Sequence, residues 1–549
     1  MNRRCDVTLR WMALFLVAAV TLATGCSTDL LNGKYGAVEI PEEKFREIDA
    51  LELAEAGPEE APADQAQESP PAEVSLSIEQ CRAMALENSL EMKAVLINPT
   101  IAAERLSAEE AKFESTFFTN VDFAKTNTPS ISYLDEISGS NVEFVRTDMG
   151  VQVPLRTGGT ITFDVVDART KTDAELTQFN PYYASDLSAS ISQPLLRDAG
   201  KWASTYSIRI ASYDRQITNA QTKLDVMTIL ATLDRVYWRL YAARKELEVR
   251  QQQHDLARAQ LERARRLVDI GERAQVEVIR AEAGVARQLE AIIVAENSLR
   301  DRERDLKRVM NKAGLDMQSP TVLTPTTTPD PVRYAMDKGH LVQTALEGRM
   351  ELLQLELQLL QDASHVDYLR NQALPLATLG YTYNINGLGG TRDDSFDMLF
   401  DNDYGDHRVG LQVRVPLGNQ AAKSRLRQAI YQRRARLATQ ASRKATIEAE
   451  VLGVIDQVEA NWQRILAARQ NAILQGRLYE AEKRQFELGV RTSTDVLDAQ
   501  TLFADAQSAE IAALAEYQIA LVDLAYATGT VLGAARIQWE PIVPVADGL

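Results

Sequence analysis

From Lys201 to Ile270 the chain runs 70 residues without a glycine or a proline. A second stretch, Gln420 to Leu488, is interrupted only by Gly453 and Gly476. Glycine and proline are the residues that break helices, at ~1 and ~3 kcal/mol each in a helix interior, so each stretch is predicted to be one helix. At ~1.5 Å per residue each would reach roughly 100 Å. Helices of that length do not fit an ordinary compact core, and the chain must lay them against partners along their length.

Each long helix is followed by a glycine, Gly271 or Gly489, and then by a second helical segment. A left-handed glycine is the common way to end a helix, so these two positions are read as hairpin tips. After Gly271 the apolar residues recur every seven, at Val278, Val285, Ile292, Leu299 and Leu306. After Gly489 the same phase holds Val496, Phe503, Tyr517 and Leu524, broken by Glu510. This is coiled-coil spacing, and these residues are assigned to helix packing and not to a ligand. The intervening Arg, Glu and Gln are assigned to solvated faces.

The chain also repeats itself. Ala85-Leu86-Glu87-Asn88-Ser89-Leu90-Glu91-Met92 is echoed by Ala345-Leu346-Glu347-Gly348-Arg349-Met350-Glu351-Leu352. Ile191-Ser192-Gln193-Pro194-Leu195 is echoed by Val413-Arg414-Val415-Pro416-Leu417. Glu277-Val278-Ile279, six residues after Gly271, is echoed by Asp495-Val496-Leu497, six after Gly489. Three echoes in one order indicate a tandem duplication, with a first repeat over residues 75–330, a second over 331–535 and a tail over 536–549.

Between the helices lie segments of another period: Phe117–Ala124, Met149–Val153, Thr160–Val166, Leu187–Gln193, Thr378–Ile385 and Val409–Val415. They alternate apolar and polar residues, the pattern of a strand with lipid on one side and water on the other. Beyond the N-terminal leader no apolar run is long enough to cross a bilayer as a helix, so membrane insertion requires a barrel. The few strands of one chain cannot close without leaving edge groups unpaired in lipid, which calls for several chains in one barrel.

At the N-terminus, Arg3, Arg4 and Arg10 precede an apolar run from Trp11 to Ala23, the layout of an export signal. Leu22-Ala23-Thr24-Gly25-Cys26 resembles a bacterial lipobox, which implies removal of residues 1–25 and a diacylglycerol and an N-acyl chain on Cys26. Plain secretion with an incidental Cys26 is the alternative. Ser27 in place of Asp suggests sorting to the outer membrane. Cys5 would leave with the leader, and Cys81 would remain as a lone thiol, so no disulfide framework exists within a mature chain. Residues 26–74, with Pro58-Glu59-Glu60-Ala61-Pro62 and Pro70-Pro71, have the composition of a flexible tether. The formal charge of −17 gives no support to nucleic-acid binding.

Taken together, these features resemble the TolC-type outer-membrane efflux proteins over about residues 76–533. The most specific segment is Phe486-Glu487-Leu488-Gly489-Val490-Arg491-Thr492-Ser493-Thr494-Asp495-Val496-Leu497-Asp498-Ala499-Gln500. The resemblance implies a mainly α fold with a membrane β part. Tandem-duplicated coiled-coil α-hairpins would form a periplasmic α-barrel, and the strands a twelve-stranded β-barrel shared by a homotrimer. It also implies a passive exit duct, opened when a periplasmic adaptor and an inner-membrane pump dock at tips near Gly271 and Gly489. By position, Asp495 and Asp498 match the carboxylates of the closed aperture, and Arg491 and Glu277 match a pair that latches hairpins. Phe486 stands where a tyrosine hydroxyl commonly completes that latch, so a weaker or apolar contact is expected. Asp495 and Asp498 also fit a plain helix N-terminus.

One departure is plain. Ala85 to Pro194 spans 109 positions and Ala345 to Pro416 spans 71, an excess of 38 in the first repeat. It is placed in an added hairpin around Val151–Val166 with a turn at Thr157-Gly158-Gly159. The favoured expectation is an extended extracellular hairpin on a twelve-stranded barrel; a larger barrel is the other.

Catalysis has no residues to stand on. His254, His340, His365 and His407 are far apart with no metal-ligand spacing. Gly200-Lys201 lacks the upstream glycine of a phosphate loop, and Gly387-Leu388-Gly389-Gly390 lies between strands. No enzyme activity, metal site or further cofactor is expected. The competing function is a lipid-anchored coiled-coil scaffold or adaptor without a channel.

Overall fold

In the computed structural model, which describes residues 73–129, 141–174, 176–272 and 274–540, the two glycine-poor stretches form the longest helices. All described residues fall within the unit Pro70–Leu549. The leader, Cys26 and almost all of the tether lie outside the described residues.

The first repeat runs β1 (Glu73–Leu76), α1 (Ile78–Asn88), α2 (Leu90–Glu110), β2 (Thr116–Asn127), β3 (Asn141–Pro154), β4 (Thr160–Thr172) and β5 (Tyr182–Pro194). A single turn, α3 (Lys201–Ser204), then leads into α4 (Tyr206–Asp269), α5 (Gln275–Met310) and β6 (Val322–Pro325). The second repeat runs α6 (Lys338–Gly348), α7 (Met350–Gln372), β7 (Leu376–Gly389), α8 (Arg392–Asp401), β8 (Gly405–Arg414), α9 (Gln420–Glu487) and α10 (Ser493–Ala527). A last turn, α11 (Val531–Ala534), closes it.

Helix α4 has 64 residues and α9 has 68. The expected helix from Lys201 is broken at Thr205, where Thr205 Oγ1 donates to Lys201 O at 2.7 Å and Ser204 Oγ to Gly200 O at 3.1 Å. Hydroxyls bonded back to the preceding turn compete with a continuous helix. The echo at Ala85–Met92 and Ala345–Leu352 marks a one-residue break in each copy. Ser89 separates α1 from α2 and Arg349 separates α6 from α7, both with non-helical backbone.

Apolar clusters form around the middle of the long helices, and Ile519 and Val522 of the second repeat pack against the first of them. In it, Leu233, Tyr237, Leu240 and Leu247 of α4 pack with Leu299, Leu306 and Met310 of α5. Strands β1 and β6 pair in parallel beside it, and Tyr237 ties them down: its hydroxyl donates to Leu76 O at 3.1 Å and accepts from Thr327 N at 2.9 Å. Cys81 is buried in this cluster, and burial pushes its thiol up to about 12, so it is a packing residue. The first residues of the tail, Ile537 and Trp539, pack on a second cluster.

The other strands form one antiparallel six-stranded sheet in the order β2-β3-β4-β5-β7-β8. A row across it reads Phe117, Val151, Phe163, Ala189, Tyr383 and His407. The row on the opposite face reads Phe118, Gly150, Asp164, Ser188, Asn384 and Asp406. The first face continues with Val121, Met149, Val165, Leu187, Ile385 and Leu411; the second with Asn120, Asp148, Asp186, Asn386 and Gln412. Over the part of the sheet nearer the helices one face is therefore mainly apolar and the other mainly polar, as the alternation requires.

The strands are longer than the sequence pattern suggests, because charged residues such as Glu143, Arg146, Asp167 and Arg169 occupy the ends away from the helices. The added hairpin is β3–β4, with its turn where expected, but the favoured placement is corrected. It does not extend the far end of the sheet: its turn lies at the end where the helices begin, and Gly200 N donates to Thr157 O at 2.9 Å. Both strands are paired along their full length.

Candidate gate at the hairpin tips

The two tips share one backbone design. Gly271 N donates to Val268 O and Glu272 N to Leu267 O, both at 2.9 Å. Gly489 N donates to Phe486 O and Val490 N to Gln485 O, both at 3.0 Å. These are the paired bonds by which a left-handed residue satisfies the last carbonyls of a helix. The φ values are 79° at Gly271 and 81° at Gly489. Nothing lies within 4 Å of where a Cβ on Gly271 would stand, so the backbone angle alone asks for glycine there.

Three residues further on the copies diverge. Thr492 caps α10: its Oγ1 accepts from Asp495 N at 3.4 Å, and Asp495 Oδ2 accepts from Thr492 N and Oγ1, each at 2.9 Å. This is a reciprocal capping box. The Thr492 backbone and hydroxyl hold the Asp495 carboxyl below the usual range. In the first tip the cap position is Ala274, which has no side-chain oxygen.

Glu277, the counterpart of Asp495, has no local box to close and reaches the other tip. Its Oε2 accepts from Ser493 N at 3.1 Å and from Ser493 Oγ, while Oε1 accepts from Arg280 Nη1 at 2.7 Å. Ser493 is 0% exposed and Glu277 7%. Ser493 N is one of the N–H groups that a helix start leaves without an internal partner, and an anion is favoured there. Burial pushes the Glu277 carboxyl up, but the Ser493 donors and Arg280 outweigh it and hold the group below its ordinary value.

The expected Arg491–Glu277 pair is therefore not formed within the chain. Arg491 Nε lies 3.1 Å from Glu482 Oε2 and donates to Gln485 Oε1 at 3.1 Å, so it fastens its own tip to the last turns of α9. Glu277 is already held by donors that are closer in the fold. Phe486 is buried at the base of the same tip. Asp498 lies one turn after Asp495 on the same side of α10 and is exposed. At Glu510, where the heptad breaks, the carboxylate faces Arg469 of α9 at 4.0 Å.

Ser493, Arg280 and the glutamines of the seam are site residues that periodicity does not reveal. Gln500 Nε2 donates to Gln253 O at 2.7 Å, joining α10 to α4. Toward the tips the buried faces are Gln253, Ala257, Gln260 and Ala264 on α4 and Glu277, Val278, Ala281, Gly284 and Gln288 on α5. Small and amide side chains bury less apolar area than the leucines and isoleucines of the central clusters, and so hold less strongly. The seam is thus richer in large apolar side chains in the middle than toward the tips, where Val278, Val496, Leu497 and Phe486 are the large apolar residues buried. No group of three His, Cys, Asp or Glu placed to hold a metal occurs among the described residues.

Residues 160–312 and 341–530, more than half of the chain, match the family model described as outer membrane efflux protein. The chain belongs to this family. The outer membrane protein TolC of Vibrio cholerae is 23% identical over 317 residues, covering 55% of this chain and 68% of that protein. TolC of Salmonella enteritidis is 23% identical over 362 residues, covering 64% and 70%. The CmeC outer membrane channel of Campylobacter jejuni shares the fold, with a TM-score of 0.61 at 14% identity over 82% of this chain and 85% of that one. The outer membrane efflux family is one of channels and not of enzymes. The family match begins at Thr160, so β2 and β3 precede it.

Proposed function

We propose that this efflux protein is one subunit of a homotrimeric exit duct serving a tripartite efflux or type I secretion assembly. It is passive, lipid-anchored through Cys26 in the outer membrane, with its helical body in the periplasm. A periplasmic adaptor and an inner-membrane pump dock at the tips near Gly271 and Gly489 and open it there. The observation that carries this reading is the joining, in one chain, of an exposed apolar sheet face with two unpaired edges to long helical hairpins fastened at their tips by polar bonds. A scaffold without a channel would have no use for such a sheet.

The closed state is held by the Glu277 link to Ser493, which joins the two hairpins of each chain. Asp495 and Asp498 of three chains place six carboxylates around the aperture, a ring that attracts and holds divalent cations. Planar-bilayer conductance tests this. Wild type is expected to be blocked by divalent cations and the Asp495→Ala, Asp498→Ala double variant to lose the block; an unchanged block removes the ring. Thr492 still caps α10 in the variant, so the helix start survives. Detergent-solubilised mass tests the assembly, where a monomer would sink the duct.

A further inference from the structure

We propose that three chains close an 18-stranded barrel, six strands from each, whose bore continues the helical tunnel without narrowing. This rests on the trimeric duct proposed above and goes beyond it, since the twelve-stranded expectation leaves the added hairpin outside the wall.

The hairpin β3–β4 has the chemistry of a wall. Val145, Met149, Val151 and Val153 of β3 and Ile161, Phe163 and Val165 of β4 lie on the same face as Phe117, Val121 and Phe123 of β2 and Val409, Leu411 and Val413 of β8. Phe163 is 53% exposed in the single chain, a surface that lipid would cover. The opposite face carries Arg146, Asp148, Gln152 and Asp164, which water would solvate. A hairpin lying outside the membrane would need neither face.

The hairpin is also fixed in plane. It separates β2 from β5, so the sheet has no β2–β5 ladder for a narrower barrel to use. At its base Thr157 Oγ1 and Gln193 Oε1 are 2.9 Å apart, and Gln193 Nε2 donates to Thr157 O at 3.0 Å. A Cβ on Gly158 would stand 2.2 Å from Asp198 O, so the turn sits directly on the junction between β5 and α3. The free edges are β2 and β8; every residue of β8 is exposed. In lipid those edges must pair, and in a ring β8 of one chain meets β2 of the next.

The widths agree. Helices α2, α4, α7 and α9 meet the sheet end, and four helices at ~9 Å spacing span roughly 36 Å of circumference. Six strands ~4.8 Å apart and tilted by ~40° span about 38 Å, whereas four span about 25 Å. An 18-stranded ring has a backbone radius of about 18 Å against about 12 Å for twelve strands. The membrane segment then imposes no sieve, and size selection falls to the hairpin tips.

The experiment places a fluorophore at Val151→Cys or Phe163→Cys on the added hairpin, and at Val121→Cys or Leu411→Cys on the flanking strands, in protein reconstituted with nitroxide-chain lipids. Cys81 is buried with its thiol pushed up to about 12 and stays unlabelled. Equal loss of fluorescence at all four positions is expected. Loss at Val121 and Leu411 without loss at Val151 and Phe163 overturns the 18-stranded wall and leaves the duct. No loss at any position overturns the membrane reading itself. Cross-sections of the nanodisc-embedded protein by cryo-electron microscopy are expected to count eighteen strands; twelve, or six strands per chain in a ring of another size, overturns the proposal.

Discussion

Glu277 and Asp495 occupy the same place in equivalent helices, yet one closes a cap and the other joins two hairpins. The difference is one residue position, Ala274 against Thr492. Restoring the hydroxyl with Ala274→Thr offers Glu277 a local partner and should weaken its bond to Ser493; bilayer recordings should then show more frequent opening. Glu277→Ala removes the link outright. A hydrogen bond to a charged group contributes about 2 kcal/mol, so the closed-to-open ratio should fall roughly thirtyfold per chain, while Arg491→Ala, whose partners are on its own tip, should shift it far less. Acid should act in the same direction. The folded-state pKa of Glu277 is lowered, so its stabilisation is complete above the ordinary glutamate value of about 4.3 and is lost as pH falls through the lowered value. Conductance recorded between pH 7 and pH 3 should rise only in that acid range, and in Glu277→Ala the rise should be reduced.

At the scale of elements, the tip halves of the hairpins approach closely because α5 carries Gly284. A Cβ there would stand 2.8 Å from Leu497 Cδ2 of α10. Gly284→Leu should force these helices apart and loosen the tips, while the central clusters around Tyr237 hold; faster hydrogen exchange confined to residues near 277–288 and 493–500 would report it. The long helices were legible because the absence of glycine and proline is a local signal, and the heptads at Val278 and Leu299 likewise. The outer ends of β3 and β4 were not, since Glu143, Asp167 and Arg169 stand on the otherwise apolar face while backbone pairing continues. The tip link was hidden for another reason: Glu277 and Ser493 are brought together only by the packing of one hairpin on the other. The missing hydroxyl at Ala274 marks Glu277 as lacking a capping partner, though not where its second oxygen goes.

On the scale of the whole molecule, the isolated chain leaves apolar positions on its helices uncovered. Ile279 and Ile293, two heptads apart on α5, and Leu466 and Ile473, one heptad apart on α9, are exposed, Ile293 at 60%. Neighbouring subunits would cover them. Ile293→Asp should therefore reduce the trimer recovered in detergent, as read by native mass, without unfolding the protomer, since the side chain makes no core contact; an unchanged yield would place the subunit interface elsewhere. The duplication gives each chain two nearly equivalent hairpins, so a ring of three would approach sixfold symmetry. The missing hydroxyl at Ala274 breaks it to threefold. Around such a ring tips with a side-chain cap alternate with tips without one, and the uncapped tips lose their carboxylate link to the neighbouring tip once Ser493 is withdrawn. Dilation of the ring would then be staggered, three leaves yielding before the other three, and a docking partner need apply its force at only every second tip.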